Sequence, residues 1–260
     1  MSARTLSVIV NADDFGGSEP INRAILEALS DGVISSSTIL AVGPVVDSAL
    51  DSTREFRAAS FGVHLCLTEY RPLTCSPNLS PLLNKHGEFD TDAVFRVKWS
   101  KALVTAVVDE WIAQIRRVQE GGVAVSHLDS HHHVHTLPPL FFALKRVQQE
   151  TGIRRVRGTW SVYDRASSPS VPLRFAKKVW WSALRRVYAT RTTDEFSDFL
   201  MFQRAVADGS YAPRRWPRAI ELMVHPDGNP AESGEEAQVL RSGWMKTLPV
   251  SAELVSYRSL

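Results

Sequence analysis

Residues 6–16 read LSVIVNADDFG, and this stretch decides how the rest of the chain is interpreted. Its first six residues are rich in β-branched side chains, which is typical of a buried strand. The run leads directly to the carboxylates of Asp13 and Asp14. A Ser-Glu-Pro sequence then begins at Ser18, with serine as a helix cap and proline near the first helical position. The chain therefore opens with a strand that delivers two acidic groups to a strand-to-helix turn.

The same strand-then-helix pattern recurs along the chain. Further strands are predicted at residues 38–42, 61–67, 154–157, 221–224 and 253–257, and helices at residues 45–58, 100–119, 137–149 and 172–190. Such alternation is typical of a parallel sheet covered by helices. Polar residues follow several predicted strands, and in α/β barrels the C-terminal strand ends meet at one active-site mouth. We expect one α/β domain that spans residues 1–260.

The composition is that of a globular protein with a hydrophobic core, since 44% of the residues are apolar and 22% are charged. Two cysteines, Cys66 and Cys75, are too few for a secreted protein held by disulfides, which favours a reducing compartment. The N-terminal residues lack the apolar region of a signal peptide, and no stretch approaches the roughly 18 apolar residues of a membrane span. We therefore expect a cytoplasmic protein.

Residues 71–93 differ from the rest of the chain because they contain three prolines and no periodic pattern. Connections of this length without secondary structure are usually functional. We interpret the segment as an active-site loop or lid.

Residues 127–135, HLDSHHHVH, carry five imidazoles and one carboxylate. Packing alone hardly explains this composition, since each buried polar ring needs a hydrogen-bond partner. If strand alternation continues through the segment, one face carries His127, Asp129, His131 and His133. Asp129 would then accept a hydrogen bond from a metal-ligating imidazole and fix its tautomer. The segment therefore predicts a site for a divalent metal.

The remaining candidates are weaker when taken alone. Asp13 and Asp14 point to opposite faces of an extended strand, so only a turn at its end allows one to bind a metal and the other to act on the bound water. As an isolated pair they are more typical of a cap or turn. His64 lies in the apolar strand FGVHLCL, where a lone histidine is more often a core residue. His225 is suited to protonating a leaving amine, although it fits a turn-capping role equally well.

The net charge of +2 is unevenly distributed. Residues 154–191 carry ten Lys and Arg against one acidic residue, Asp164. They include the basic helix predicted at residues 172–190, which contains Trp180 and Trp181. Basic residues beside tryptophan are typical of an interfacial helix, which would meet a membrane, a lipid-linked substrate or an acidic patch on a second subunit. The favoured interpretation is that both tryptophans pack in the core and that the Lys and Arg stems cover apolar surface.

The motifs together resemble a known family. VNADDFG, GVHLCLT and SHLDSHHHVHTLP occur in the order found in the YdjC/ChbG-type carbohydrate deacetylases, and DGVISSSTILAVGP and ELMVHP agree with it. The resemblance covers most of the chain. It implies an irregular, TIM-like (β/α) barrel of mostly parallel strands. It also implies a metal-dependent hydrolase that removes an acetyl group from an N-acetylated sugar, such as an N-acetylglucosamine-containing oligosaccharide or glycoconjugate.

The resemblance also implies roles for individual residues. Asp14, His64 and His131 match the metal ligands of the family. Asp13 matches the general base, and His225 matches the general acid.

Asp129, His133 and Tyr70 are expected to support the ligands or contact the substrate. One divalent ion is expected, Mg²⁺ or Zn²⁺ first and Co²⁺, Ni²⁺ or Mn²⁺ as further candidates, because imidazole and carboxylate suit these ions. The expected partner is the N-acetylated sugar. A homo-oligomer is expected and a nucleic acid partner is not.

Three other interpretations stay open. A metal-dependent amidohydrolase or phosphoesterase would use an HxH pair that makes His133 a ligand. A non-haem iron oxygenase would use two histidines and a carboxylate, but normally on a double-stranded β-helix. A non-catalytic sugar-binding protein would keep the fold without the reaction, and metal-dependent release of acetate distinguishes it.

Overall fold

The strand that opens the sequence, β1 (Leu6–Phe15), lies at the centre of a curled parallel sheet. The computed structural model describes residues 5–226 and 233–260 of the chain. The other strands in these residues are β2 (Ser36–Ile39), β3 (Ser60–Leu65), β4 (Leu128–Ser130), β5 (Glu195–Asp198), β6 (Ala219–Val224) and β7 (Ala252–Leu254).

The α-helices alternate with these strands. They are α1 (Glu19–Ser30), α2 (Val46–Ser52), α3 (Thr91–Arg96), α4 (Lys101–Glu120), α5 (Phe141–Thr151), α6 (Val171–Arg186), α7 (Phe199–Ala207) and α8 (Ser233–Arg241). Short 3₁₀ segments occur at Thr53–Glu55, Pro77–Leu82, His131–Thr136, Pro138–Leu140, Val187–Ala189, Trp244–Thr247 and Tyr257–Ser259.

The sheet has the order β4-β3-β2-β1-β6-β5, with β7 beside the first half of β1, and its ladders are parallel. Isolated bridges continue beyond both edges. Leu128 in β4 pairs with Val156, and Ser161 pairs with Phe196 in β5. The sheet therefore curls into an irregular half-barrel. The segment between Val156 and Ser161 bridges its two edge strands, β4 and β5. This confirms the expected α/β fold of mostly parallel strands in one domain.

The helices begin where the sequence places capping residues. The Ser18 side chain accepts a hydrogen bond from the Ile21 amide at the start of α1, and Ser100 does the same for Leu103 at the start of α4. Such caps satisfy amides that have no partner within the helix. The apolar residues of α4 that recur at helical spacing are buried, with Trp111 at their middle. The predicted cap Ser18 is confirmed, and Ser100 caps a helix that was predicted at residues 100–119 without its cap.

The segment 71–93 is packed on the barrel and contains both a 3₁₀ turn and the start of α3. Leu79, Leu82 and Phe89 are buried in the core. The Glu110 carboxylate of α4 accepts hydrogen bonds from the Leu73 and Thr74 amides at 3.0 and 2.8 Å. The segment is therefore anchored at several points, and its role as an active-site loop or lid stays a prediction.

Several elements differ from the sequence-based expectation. β2 lies at Ser36–Ile39 and begins two residues before the predicted strand. Its first two residues are serines, which are buried but do not belong to the apolar run on which the prediction was based. β5 and α7 were not predicted. β5 has the sequence EFSD, and a strand of four residues with an acidic residue at each end has no apolar pattern to predict it. α7 follows it directly, with Asp198 as its cap.

The basic helix α6 is largely exposed. Leu184 is its buried residue, and Trp180 and Trp181 are both partly exposed. The expectation that both tryptophans pack in the core is therefore wrong. Trp180 packs against the core at its edge, and Trp181 lies at the surface, where its Nε1 donates to the Thr193 carbonyl at 3.4 Å. No helix in residues 5–226 and 233–260 is both long enough and apolar enough to cross a membrane.

β3 and the residue before β4 approach each other closely at Gly62. A Cβ atom at this position would lie 2.6 Å from His127 Cε1 and 2.7 Å from the His127 carbonyl oxygen. That oxygen belongs to a ladder, since it accepts a hydrogen bond from the Val63 amide at 3.1 Å. Glycine is therefore required for the close approach of two strands that carry site residues.

Gly62→Ala is expected to lower the free energy of unfolding by about 1–3 kcal/mol, the usual cost of overpacking a dense interior. Gly234→Ala in α8 is the matched control, because no atom of the described residues lies within 4 Å of a Cβ there and alanine favours a helix. Urea unfolding followed by circular dichroism measures both variants. Equal stability of Gly62→Ala and the wild type would contradict the close approach.

Candidate active site

Two adjacent carboxylates reach one region because β1 is irregular at its end. The register between β1 and β2 shifts between Ala12 and Phe15, and Asp14 has a left-handed backbone with φ 67°. This irregularity removes the strict alternation of side chains in a regular strand. Asp14 Oδ1 lies 3.3 Å and Asp13 Oδ2 lies 4.0 Å from His64 Nε2. Both acidic residues therefore face the same histidine.

Asp14, His64 and His131 bring three donor atoms together at the carboxyl ends of β1, β3 and β4. His131 Nδ1 lies 2.9 Å from Asp14 Oδ1 and 3.3 Å from His64 Nε2. The three ligand atoms lie within 4.8 Å of one another. The structure thus brings together the residues expected as metal ligands, and their role as ligands stays a prediction.

The hydrogen bonding of this cluster is incomplete. Asp14 Oδ1 is buried and makes no hydrogen bond of good geometry in the described residues, although His131 Nδ1 and His64 Nε2 lie 2.9 and 3.3 Å away. A buried carboxylate oxygen that is poorly hydrogen-bonded costs free energy. Two imidazole nitrogens and one carboxylate oxygen that converge in this way fit a single divalent cation, whose charge would compensate the carboxylate.

The His64 ring is oriented by Asp129. Nδ1 donates a hydrogen bond to Asp129 Oδ1 at 2.7 Å, which leaves a lone pair on Nε2 for the cluster with Asp14. Thr38 Oγ1 donates to the other oxygen of Asp129 at 3.0 Å. A carboxylate behind an imidazole fixes its tautomer and raises its basicity. Asp129 therefore orients the His64 ring, and its role behind a metal ligand stays a prediction.

A buried guanidinium, that of Arg157, organises the acidic groups. Nη1 and Nη2 donate to the two oxygens of Asp13 at 2.7 and 2.6 Å. Nη2 also lies 2.8 Å from Asp129 Oδ2, and Nε donates to Glu221 Oε1 at 2.8 Å. Burial raises the pKa of Asp13, but the paired guanidinium outweighs burial and holds that pKa well below its usual range. Asp13 is therefore ionised at neutral pH.

The two oxygens of Asp13 have different surroundings. Oδ1 accepts hydrogen bonds from Arg157 and from Asn11 Nδ2, the latter at 2.8 Å. Oδ2 accepts from Arg157 and lies 3.9 Å from His225 Nε2. The His225 side chain is 40% exposed, whereas that of Asp13 is 2% exposed. Asp13 Oδ2 therefore keeps a lone pair on the side that faces the exposed histidine.

Behind Arg157, Glu221 connects the network to the C-terminal segment. It accepts a hydrogen bond from the hydroxyl of Tyr257, whose ring stacks on His127 with centroids 3.6 Å apart. Burial raises the pKa of Glu221 to about 7 despite the nearby guanidinium. Burial and the Arg157 charge hold the pKa of His127 well below its usual range. His127 is therefore a neutral, buried support for Asn11, whose Oδ1 lies 3.2 Å from its Nε2.

The histidine-rich segment does not continue as a strand. β4 ends at Ser130, and His132 and His133 have left-handed backbones with φ 52° and 54°. His133 packs edge-on against Phe196 and belongs to no metal-capable group in the described residues. The expectation that four residues of the segment share one face is therefore wrong, because that pattern requires extended backbone throughout.

A second group of donors overlaps the first. Glu69 Oε2 lies 3.6 Å from His131 Nε2, and Glu69, His131 and His132 are also close enough to bind a metal. Burial opposes protonation of His131, but its contacts with Asp14 and Glu69 outweigh burial and raise its pKa to about 11. The carboxylates around His131 therefore favour a positive charge at this position. The side chain of Glu69 is 47% exposed against 18% for Asp14, so the Asp14 group is better shielded from water.

Tyr70, expected to contact the substrate, lies near these acidic groups and is partly exposed. Its backbone is left-handed with φ 65°, and its carbonyl accepts a hydrogen bond from the Phe89 amide at 2.7 Å. Burial, with the negative charges of Glu69 and Asp14, raises the pKa of Tyr70 to about 12. Its hydroxyl therefore stays protonated, and its contact with substrate stays a prediction.

Sequence reasoning missed the residues that hold the site together, namely Asn11, Thr38, Arg157, Glu221 and Tyr257. Arg157 was indistinguishable from the other basic residues of 154–191. Glu221 carried a usable signal, because an acidic residue within the apolar strand AIELMV needs a buried partner.

Comparison with known proteins identifies relatives over most of the chain. A family model described as YdjC-like protein matches residues 7–251. A carbohydrate deacetylase of Halalkalibacterium halodurans is 36% identical over 146 residues, which are 56% of this chain and 61% of that protein. A carbohydrate deacetylase of Vibrio cholerae serotype O1 is 37% identical over 137 residues, which are 52% of each. The chain thus spans only about half to three fifths of the length of these relatives.

A solved structure shares the fold across the whole chain. It is a protein of Enterococcus faecalis V583 whose description as a cellobiose-phosphate cleavage protein is provisional. The two structures have a TM-score of 0.79 at 24% identity, and the match covers 98% of each chain. At this identity the similarity supports the fold alone.

Arg157→Met is expected to lower the free energy of unfolding at pH 7 by about 3–5 kcal/mol, because it leaves buried carboxylates without their counter-charge. Without the guanidinium, burial raises the pKa of Asp13 above its unfolded-state value. The folded variant then binds a proton more readily than the unfolded chain does, so its free energy of unfolding rises as the pH falls. The difference in free energy of unfolding between variant and wild type therefore shrinks from pH 7 to pH 5. Urea unfolding at both pH values measures this.

Arg154→Met is the control, because Arg154 is exposed and its loss should change stability by no more than about 0.5 kcal/mol. A deficit of Arg157→Met that is small, or that grows toward pH 5, would contradict the assigned network.

Proposed function

The chain belongs to the YdjC-like protein family, and from this membership and the geometry of the site we propose that it is a metal-dependent hydrolase that removes the acetyl group of an N-acetylated sugar. One observation carries the proposal. The donor atoms of Asp14, His64 and His131 lie within 4.8 Å of one another, with Asp13 and His225 beside them. The name carbohydrate deacetylase of the two relatives supports the same reaction.

Asp14, His64 and His131 would hold one divalent ion. Two imidazoles and a carboxylate favour Zn²⁺ over Mg²⁺, which prefers oxygen ligands, and Co²⁺, Ni²⁺ and Mn²⁺ are further candidates. When bound, such an ion polarises the amide carbonyl and lowers the pKa of a coordinated water. Three protein ligands leave positions open for both.

Asp13 acts as the general base in this proposal. Its Oδ2 has a free lone pair and faces His225, so it accepts the proton of the attacking water at this atom. The pairing with Arg157 lowers the basicity of Asp13, but it also keeps the carboxylate ionised and fixed in position. Proton transfer to a positioned group of this kind contributes roughly 10²–10⁴-fold to the rate.

His225 acts as the general acid. Its Nε2 lies 3.9 Å from Asp13 Oδ2 and its side chain is partly exposed, so it can reach a substrate that enters from solvent. In its protonated form it donates a proton to the nitrogen of the leaving amine. The backbone amide of His225 donates to Glu236 Oε2 at 3.0 Å, which holds the residue after β6 in place.

The proposed substrate is an N-acetylated sugar such as an N-acetylglucosamine-containing oligosaccharide or glycoconjugate. The partly exposed ring of Tyr70 suits a sugar face and its protonated hydroxyl suits a sugar oxygen. The alternatives have less support. His133 packs on Phe196 rather than with the donors, which disfavours an HxH amidohydrolase or phosphoesterase, and the parallel sheet disfavours an iron oxygenase of the β-helix type.

Removal of a ligand should abolish metal binding. Asp14→Ala, His64→Ala and His131→Ala are each expected to weaken Zn²⁺ binding by more than about 100-fold, whereas Asp129→Asn costs roughly 10–100-fold because it only supports His64. Isothermal titration calorimetry on the untagged protein measures this. His132→Ala is the matched control, and a loss of affinity there as large as in His131→Ala would favour the group that contains Glu69.

Asp13→Asn should separate catalysis from metal binding. We expect the variant to retain its affinity for Zn²⁺ and to lose about 10²–10⁴-fold in turnover, because the amide of asparagine does not accept a proton. Release of acetate from N-acetylated chito-oligosaccharides measures turnover, and calorimetry measures the metal. Near-normal turnover of Asp13→Asn would exclude Asp13 as the general base.

A further inference from the structure

Helix α6 exposes an unusual amount of apolar surface. Among the described residues, seven large hydrophobic side chains are exposed, and five of them lie between residues 171 and 187: Val171, Leu173, Phe175, Val179 and Val187. Phe175 is 70% and Val171 80% exposed. Single exposed apolar residues are normal on a protein surface, but a cluster of this kind marks an interaction site.

The exposed apolar residues form a stripe on the outer side of α6. Val171, Phe175 and Val179 are spaced by four residues and therefore lie along one face of the helix. The inner face carries the buried Leu184 and the ring of Trp180, which packs edge-on against Phe141. The outer stripe is therefore turned away from the barrel.

Basic residues border the outer stripe. Arg174, Lys178, Arg185 and Arg186 are exposed, and α6 contains no acidic residue. Arg185 pairs with Asp194 at 3.6 Å, whereas the other three have no ion pair in the described residues. Apolar side chains flanked by unpaired cations are the composition of a helix that lies in the interface of an anionic membrane.

We propose that α6 docks the protein on an anionic lipid bilayer, parallel to its surface. Val171, Phe175 and Val179 insert among the acyl chains near the headgroups, and Arg174, Lys178 and Arg186 contact lipid phosphates. Charge complementarity favours this occupant over a second copy of the chain, because a two-fold contact through α6 would bring identical clusters of cations together.

Docking would bring the cavity behind α6 close to the bilayer. The inner face of α6 lines a cavity of about 310 Å³ with Leu173, Ala176 and Trp180, and His133 and Phe196 line it from the barrel. His133 is two residues from His131 in the chain. The helix whose outer face meets the lipid is therefore also one wall of a cavity that His133 lines from the opposite side. The proposal does not depend on the reaction at that site.

Co-sedimentation with sucrose-loaded vesicles tests the proposal. Wild-type protein is incubated with vesicles of phosphatidylcholine alone or with about 30% phosphatidylglycerol, at low and at high NaCl concentration. Binding is expected only to the anionic vesicles, and it should weaken at high salt because the electrostatic attraction is screened.

Two double variants separate the apolar and the electrostatic contributions. Phe175→Ser/Val179→Ser should weaken binding to anionic vesicles by at least about tenfold. Lys178→Gln/Arg186→Gln should weaken it by roughly 25-fold, about fivefold per charge. The matched controls are Phe95→Ser, an exposed phenylalanine on α3, and Lys101→Gln/Arg116→Gln on α4, and both should bind like the wild type.

The variants change exposed side chains outside the candidate site, so their circular dichroism and their release of acetate from a soluble sugar should match the wild type. If the proposed reaction is wrong, neither the wild type nor any of these variants releases acetate, and their binding to vesicles is unchanged. No binding of wild type to anionic vesicles would overturn the proposal, as would equal binding by the α6 variants and their controls. Self-association in analytical ultracentrifugation that Phe175→Ser/Val179→Ser abolishes, without lipid binding, would assign the surface to a second copy.

Discussion

One buried arginine holds the acidic interior of this protein together. Arg157 is fully buried and contacts the carboxylates of Asp13, Asp129 and Glu221 with its three nitrogens. A carboxylate removed from water is costly unless it is paired and hydrogen-bonded, and no other Arg or Lys in the described residues pairs with these three. Each carboxylate comes from a different strand, so the pairing that makes their burial possible also connects β1, β4 and β6.

The candidate site depends on this network for its orientation. Arg157 fixes Asp129, Asp129 fixes the ring of His64, and the free nitrogen of His64 then faces Asp14. Arg157 also donates to both oxygens of Asp13, and Oδ2 keeps a second lone pair on the side of His225. The groups proposed for binding the metal and for moving protons are thus held by one set of charge-assisted hydrogen bonds. Loss of the Arg157 charge at its centre is therefore expected to affect every member.

The sequence predicted the elements that follow local rules. β1 is a run of β-branched residues, and α1 combines apolar residues at helical spacing with the capping residue Ser18. The family motifs predicted Asp14, His64 and His131 as one group of ligands. Long-range pairings were not predictable, because nothing near Arg157 in the chain distinguishes it from neighbouring basic residues. Departures from regular backbone were missed for a related reason. The left-handed residues Asp14 and His133 change where side chains lie, and strand alternation does not anticipate them.

X-ray diffraction from crystals grown with Zn²⁺, recorded on both sides of the zinc absorption edge, tests the central claim most directly. The account predicts one anomalous peak bound by Asp14 Oδ1, His64 Nε2 and His131 Nδ1, at about 2.0–2.3 Å from each. A peak held instead by Glu69, His131 and His132, or no peak near these residues at saturating zinc, would contradict it.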